Sequence, residues 1–222
     1  MKELAPGVLQ LKGRLPLPNA INTYLLEDVL VDAGARFDGK RIVQQLRGRP
    51  LTAHALTHAH ADHQGVSKLV CETFGVPFLV PERDVEKAER PEAMLEEGPG
   101  SAMGRLFYRA MHGPGHKVDR TLAEGDEVAG FRVLDVPGHS KGHVAFWRES
   151  DRVLVLGDVL NSMDIYTGLP GLRLPKDGLT TDPAQNRLSA KRLGELEPAL
   201  VLFGHGAPVH DARKFSDFCA AL

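Results

Sequence analysis

The segment THAHADHQG, residues 57–65, sets His58, His60, Asp62 and His63 within six consecutive positions. Given the His and Asp content of the chain, the arrangement His-x-His-x-Asp-His arises by accident in roughly one chain of this length in a thousand, so chance explains it poorly. Neutral imidazole together with carboxylate is the donor set that borderline divalent cations prefer. A solvated, pH-sensing histidine cluster is the competing explanation, and further ligands elsewhere in the chain decide against it. His139 follows VLDVPG, Asp158 follows VLVLG and His205 follows ALVLFG. Each stands beside glycine just past an apolar strand, where tight turns let polar side chains meet at one sheet edge. The seven residues His58, His60, Asp62, His63, His139, Asp158 and His205 are too many for one tetrahedral ion. They suit two ions sharing a bridging carboxylate.

Short strands and helices must carry these residues. NTYLLEDVLVDAG reads as two strands joined at Glu27-Asp28, too close for a crossover helix, which demands an antiparallel hairpin. Residues 38–48 place Ile42, Val43 and Leu46 on one helical face, and AHALT is a strand running directly into the histidine cluster. An amphipathic helix is expected from Asp62 to Phe74, with its acidic residue at the start, and VPFLV at 76–80 is a further strand. A charged, Pro/Gly-punctuated helical insertion then covers about residues 81–118, with a helix around SAMGRLFYRAMH. FRVLDV, HVAFWR and RVLVLG follow as strands, then a loop TGLPGLRLPKDG, a helix opening at Asp182-Pro183, the strand ALVLF and a closing helix over 211–222. Hairpins mixed with helices predict a single layered α/β domain over 1–222 with mixed sheets, not a doubly wound parallel sheet.

Composition narrows the partners. The formal net charge of −2 gives no electrostatic basis for nucleic acid or an anionic membrane. MKELAPGVLQLKGRL lacks a signal-peptide apolar core and no apolar run spans a bilayer, so a cytoplasmic location is expected. Cys71 and Cys219 form no C-x-x-C pattern, and Cys71 sits among apolar residues at helical spacing as a small buried hydrophobe. His54, His112, His116 and His210 have no supporting pattern and read as ordinary loop or surface histidines.

The stretches THAHADH, PGHSKGH, GD at 157–158 and GHG at 204–206 resemble, in order and spacing, the metal-binding motifs of the metallo-β-lactamase superfamily. LVDAG at 30–34 resembles its early strand and turn. The resemblance covers nearly the whole chain and implies a four-layer αββα sandwich with two mixed β-sheets and the site at their edge. It also implies that His58, His60 and His139 hold one ion, Asp62, His63 and His205 the other, and that Asp158 bridges. Within the superfamily the chain is most similar to the glyoxalase II-like metallo-hydrolases, which share the ligand set, although their basic glutathione-binding C-terminal extension has no counterpart here. The cysteine that common β-lactamases carry near Asp158 is absent, and so are the glutamate of flavodiiron proteins at His60 and the tyrosine of lactonases close after Asp158. The arginine-bearing segment of persulfide dioxygenases is not matched by VLNSMDIYTG.

The expected activity is hydrolysis of a small ester, thioester or lactone by hydroxide held between two Zn²⁺ ions, with iron or manganese as alternative occupants of one or both sites. Asp62 would orient that hydroxide. His143 and Asp32 would steady the ligands from behind, His143 by orienting the His139 loop and Asp32 as a hydrogen-bond acceptor. Met103, Phe107, Tyr108, Met163, Tyr166, Leu169 and Leu172 are candidates for an apolar substrate rim, and Lys141 and Arg173 for meeting a carboxylate. The alternatives are a mononuclear iron oxygenase of the persulfide dioxygenase type and a metal-binding protein without catalysis.

Overall fold

The computed structural model describes residues 1–14, 16–97 and 102–222. They divide into two units, residues 1–13 with 21–122 and residues 14–20 with 123–222.

In the first unit seven short strands pair in chain order: β1 (Lys2–Ala5), β2 (Val8–Gln10), β3 (Tyr24–Leu26), β4 (Val29–Val31), β5 (Ala53–Ala55), β6 (Phe78–Pro81) and β7 (Arg120–Leu122). The β3–β4 hairpin closes at Glu27-Asp28 as the sequence requires, with Glu27 in the left-handed region at φ 52°. From β1 to β4 the pairing is antiparallel; from β4 to β7 it is parallel. Helix α1 (Gly39–Leu46) follows β4 and buries Ile42 and Leu46 completely against Leu25, Leu30, Val66 and Val70. Each such side chain contributes about 1.5–3 kcal/mol of hydrophobic stabilisation.

The helix expected over 62–74 is instead two, α2 (Ala61–Gln64) and α3 (Ser67–Phe74). Gly65 explains the break. Its N–H donates to the Gly34 carbonyl at 2.8 Å, and a Cβ there would fall 2.3 Å from the Arg36 nitrogen. The backbone of 34–36 therefore passes where a continuous helix would carry a side chain. Asp62 lies in the first turn of α2, behind His60 at the cap position. Helices α4 (Val85–Glu89), α5 (Ala93–Glu97) and α6 (Ala102–Met111) lie between β6 and β7.

His54 departs from its reading as a loop or surface residue, since it lies on β5, fully buried, with its ring stacked on Phe78 at 5.2 Å. Its Nδ1–H donates to the Leu30 carbonyl at 3.1 Å, and its Nε2 accepts from the Ser67 hydroxyl at 2.8 Å. A three-residue strand is too short for alternation to reveal which face is buried. His112 and His116 are half-buried and His210 is exposed. Burial pushes the His54 pKa down from 6.5 to about 4, against the opposing pull of the Leu30 carbonyl and Asp32. The unfolded chain therefore takes up a proton near pH 6.5 that the folded chain refuses until about pH 4. His54 thus withdraws about 3 kcal/mol of stability as pH falls through that window. Urea unfolding of folded His54→Gln across pH 7 to 4 should show a shallower decline than the parent; an unchanged slope would refute this.

In the second unit β8 (Glu127–Val128), β9 (Phe131–Asp135), β10 (Val144–Arg148), β11 (Val153–Gly157) and the later β14 (Leu200–Phe203) form a mixed sheet in the order β14-β11-β10-β9-β8. Only β11 and β14 pair in parallel. Strands β12 (Asn161–Met163) and β13 (Pro170–Arg173) form a separate hairpin, and β13 lies within the stretch TGLPGLRLPKDG that the sequence suggested was a loop. Asp164 closes it by accepting the N–H groups of Tyr166 and Thr167 at 3.0 Å and holding Arg173 at 3.1 Å. That side-chain turn leaves no trace in hydrophobic pattern. Helix α7 (Pro183–Gly194) starts as expected, with the Asp182 carboxylate accepting from Gln185 N–H at 2.9 Å. Helix α8 (Ala212–Ala220) packs Phe215 and Cys219 into a core that includes Trp147, Leu156 and Phe203. Cys71, buried in the first unit, and Cys219 are free thiols. Among the described residues no helix is long and apolar enough to cross a membrane.

Candidate metal centre

Parallel strands bring polar residues together at their carboxyl ends, and each unit does this once. In the first, Asp32 follows β4 and Thr57-His58 follow the neighbouring β5. Asp32, at φ 59°, is buried and aims its carboxylate at the histidine segment. Asp32 Oδ1 accepts the Thr57 N–H at 2.9 Å, Oδ2 accepts the Thr57 hydroxyl at 2.9 Å, and Oδ2 also accepts from His63 Nδ1 at 2.9 Å. With its hydroxyl proton given to Asp32, Thr57 Oγ1 is left to accept from His58 Nδ1 at 2.9 Å. Both histidines are thereby fixed in the tautomer that leaves Nε2 as the donor atom for a cation. The rings of His58 and His63 stand 4.2 Å apart and those of His58 and His60 4.5 Å apart. Ligand atoms of Asp62 and His63 lie within 4.8 Å of each other. His58 and His63 are fully buried, whereas His60 and Asp62 are half-buried.

In the second unit Asp158 and His205 leave the adjacent parallel strands β11 and β14, whose ends are joined by Gly204 N–H donating to the Gly157 carbonyl at 2.8 Å. His205 Nε2 consequently lies 3.0 Å from Asp158 Oδ2, and His139 Nε2 reaches the same oxygen at 3.6 Å. The Nδ1 of His205 donates to the Ala20 carbonyl, and that of His139 to Thr180 Oγ1 at 3.4 Å. Gly206, at φ 105°, admits no side chain, because a Cβ would fall 2.1 Å from Ser162 Oγ. Helix α7 holds the loops that carry His139 and Asp158. Ser189 Oγ donates to the Pro137 carbonyl at 2.6 Å, and Asn186 Nδ2 to the Val159 carbonyl at 2.9 Å.

His143 is buried, and its Nε2 accepts the Asp158 N–H at 3.3 Å. That lone pair holds the Asp158 backbone. In donor chemistry each set fits a divalent cation: four histidines have Nδ1 committed as a hydrogen-bond donor, and in the second unit two Nε2 atoms converge on one carboxylate oxygen. Sequence reasoning missed Thr57, Thr180 and the Ala20 carbonyl, which reach Asp32, His139 and His205 across 25, 41 and 185 positions with no spacing signal.

The apolar-rim candidates separate. Tyr108 is core, packed with Ala35, Ala61 and Met111 while its hydroxyl donates to the Pro91 carbonyl at 2.8 Å. The side chains of Met103 and Phe107 lie outside the described residues. Met163 is buried and Leu172 packs on the core of the second unit, whereas Tyr166 and Leu169 are 72% and 63% exposed on the β12–β13 hairpin. Arg173 is already engaged by Asp164, and Lys141 is exposed.

The family model described as Metallo-beta-lactamase superfamily matches residues 17–205. The chain belongs to this superfamily. A superfamily relative, the probable metallo-hydrolase YflN of Bacillus subtilis strain 168, is 29% identical over 208 residues, covering 85% of this chain and 79% of that protein. The crystal structure of a metallo-beta-lactamase family protein from Thermus thermophilus matches with TM-score 0.70 and 28% identity, over 99% of this chain and 80% of that one. A third, TTHA1623, solved in a di-iron-bound form, is 32% identical with TM-score 0.66, over 91% of this chain and 96% of that one. The mixed α/β architecture is that of metallo-β-lactamase-fold proteins.

Proposed function

We propose that the protein is a metal-dependent hydrolase of small esters, thioesters or lactones that uses the seven-ligand dinuclear set of its superfamily's motifs. The observation that carries this reading is the commitment of Nδ1 in His58, His63, His139 and His205, which readies four Nε2 atoms for metal. The relative named a probable metallo-hydrolase supports the reaction class. In this reading His58, His60 and His139 hold one ion, Asp62, His63 and His205 hold the other, and Asp158 is shared. Two Zn²⁺ ions, when bound, lower the pKa of water to about 7 and polarise a carbonyl oxygen.

The chain's own residues then have distinct tasks. Asp62 orients the attacking water through a hydrogen bond, Asp32 and Thr57 keep His58 and His63 aimed, and His143 holds the Asp158 backbone. Tyr166 and Leu169 offer apolar surface to the acyl side of a substrate. In this reading the substrate is a small molecule and the setting cytoplasmic, and the net charge of −2 gives no electrostatic basis for nucleic-acid or membrane partners. A second reading puts iron in place of zinc, favoured by the di-iron-bound relative. A screen of acyl thioesters, lactones and aryl esters, run with metal-loaded and chelated protein, tests the proposal. Metal-dependent turnover of at least one class is expected. No turnover of any class by protein loaded with zinc, iron or manganese would overturn it.

A further inference from the structure

The histidine segment is gripped from two sides, and only one grip belongs to the arrangement above. Strands β4, β5 and β6 run parallel, and the carboxyl end of each carries a residue of one buried cluster: Asp32 after β4, Thr57 to Ala59 after β5, and Asp84 after β6. Asp32 takes the Thr57 N–H at 2.9 Å, and Asp84 Oδ2 takes the Ala59 N–H at 3.0 Å. His58 therefore sits between two peptide groups, each anchored by a fully or almost fully buried carboxylate. The opposite side of Ala59 is held too. Gln64 Nε2 donates to the Ala59 carbonyl at 3.1 Å and to the Lys87 carbonyl at 3.1 Å, which ties the turn to helix α4.

Ala59 has no functional side chain, yet both its peptide groups are bound by buried polar side chains. Its φ and ψ set the angle between the His58 and His60 side chains, because it is the one residue that separates them. We propose that Asp84 and Gln64 are positioning residues for the metal centre, locking the His58–His60 turn in the conformation that presents both imidazoles to one ion. A folded chain lacking the lock samples other Ala59 conformations and must order the turn when metal binds, which weakens affinity. The proposal rests on the reading of His58 and His60 as ligands.

Two measurements on metal-free and Co²⁺-loaded full-length protein test it, using Asp84→Ala and, should that variant fold poorly, Gln64→Met. Hydrogen exchange at the Ala59 amide should be slow in the metal-free parent and faster in either variant. Co²⁺ affinity by chelator competition should fall about 10- to 100-fold, the scale found when groups that orient metal ligands are removed, and the visible spectrum of bound Co²⁺ should change. Asp84→Asn, which keeps an acceptor oxygen, should recover most of the affinity. A folded variant with parental exchange, affinity and spectrum would overturn the proposal, as would fast exchange at Ala59 in the parent. A parent that binds no Co²⁺ would instead sink the ligand reading itself, leaving the lock to be judged by amide exchange alone.

Discussion

Asp158→Ala should lose at least one bound ion and reduce hydrolytic turnover by a factor on the order of 10²–10³, the scale for removing a preorganised electrostatic group from an active site. The carboxylate is buried, with two imidazole nitrogens 3.0 and 3.6 Å from a single oxygen. In the proposed centre it offsets the repulsion between two dications, and alanine leaves that repulsion uncompensated. His143→Ala is the informative contrast. Its Nε2 accepts the Asp158 N–H and so steadies the ligand's backbone, which predicts retained metal and a smaller loss of about ten- to a hundredfold. Circular dichroism must show both variants folded. Near-parental hydrolysis and two tightly bound ions in Asp158→Ala would remove the shared carboxylate from the account.

Removing metal should have the second largest effect, on stability. Crowding His58, His60 and His63 with ring centres 4.2–4.5 Å apart, mostly away from water, is tolerable when a cation draws their nitrogens together. An ion present at about a thousand times its dissociation constant contributes about 4 kcal/mol by linkage. For a chain of this size that corresponds to a fall in Tm of roughly 8–16 °C per site on exhaustive chelation. Restoring Zn²⁺ should restore the Tm. A chelated, metal-free protein that melts at the parental temperature would contradict the expectation.

What the sequence revealed and what it hid differ in physical kind. The seven candidate ligands were visible because His58, His60, Asp62 and His63 crowd into six positions, while His139, Asp158 and His205 each stand just past an apolar strand, so spacing, strand pattern and residue type point to the same chemistry. The β3–β4 hairpin was legible from a two-residue turn, and α7 from Asp182-Pro183. The supports were not. Thr57 reaches Asp32 across 25 positions, Ala59 reaches Asp84 across another 25, and His139 reaches Thr180 across 41. Such contacts depend on which strands lie side by side, which local periodicity does not encode. His54 escaped for the same reason, since its burial comes from Phe78 and Ser67 on other elements. The break at Gly65 records a close backbone approach from 34–36, and the β12–β13 hairpin is closed by the Asp164 side chain and not by apolar alternation.

Metal content of untagged protein, measured by elemental analysis alongside dioxygen consumption, tests the central claim most directly. Close to two zinc ions per chain, or two iron ions, with metal-dependent hydrolysis and no uptake of dioxygen, is the predicted result. A single iron per chain with dioxygen consumed in step with substrate would contradict the dinuclear hydrolase and establish the mononuclear oxygenase in its place.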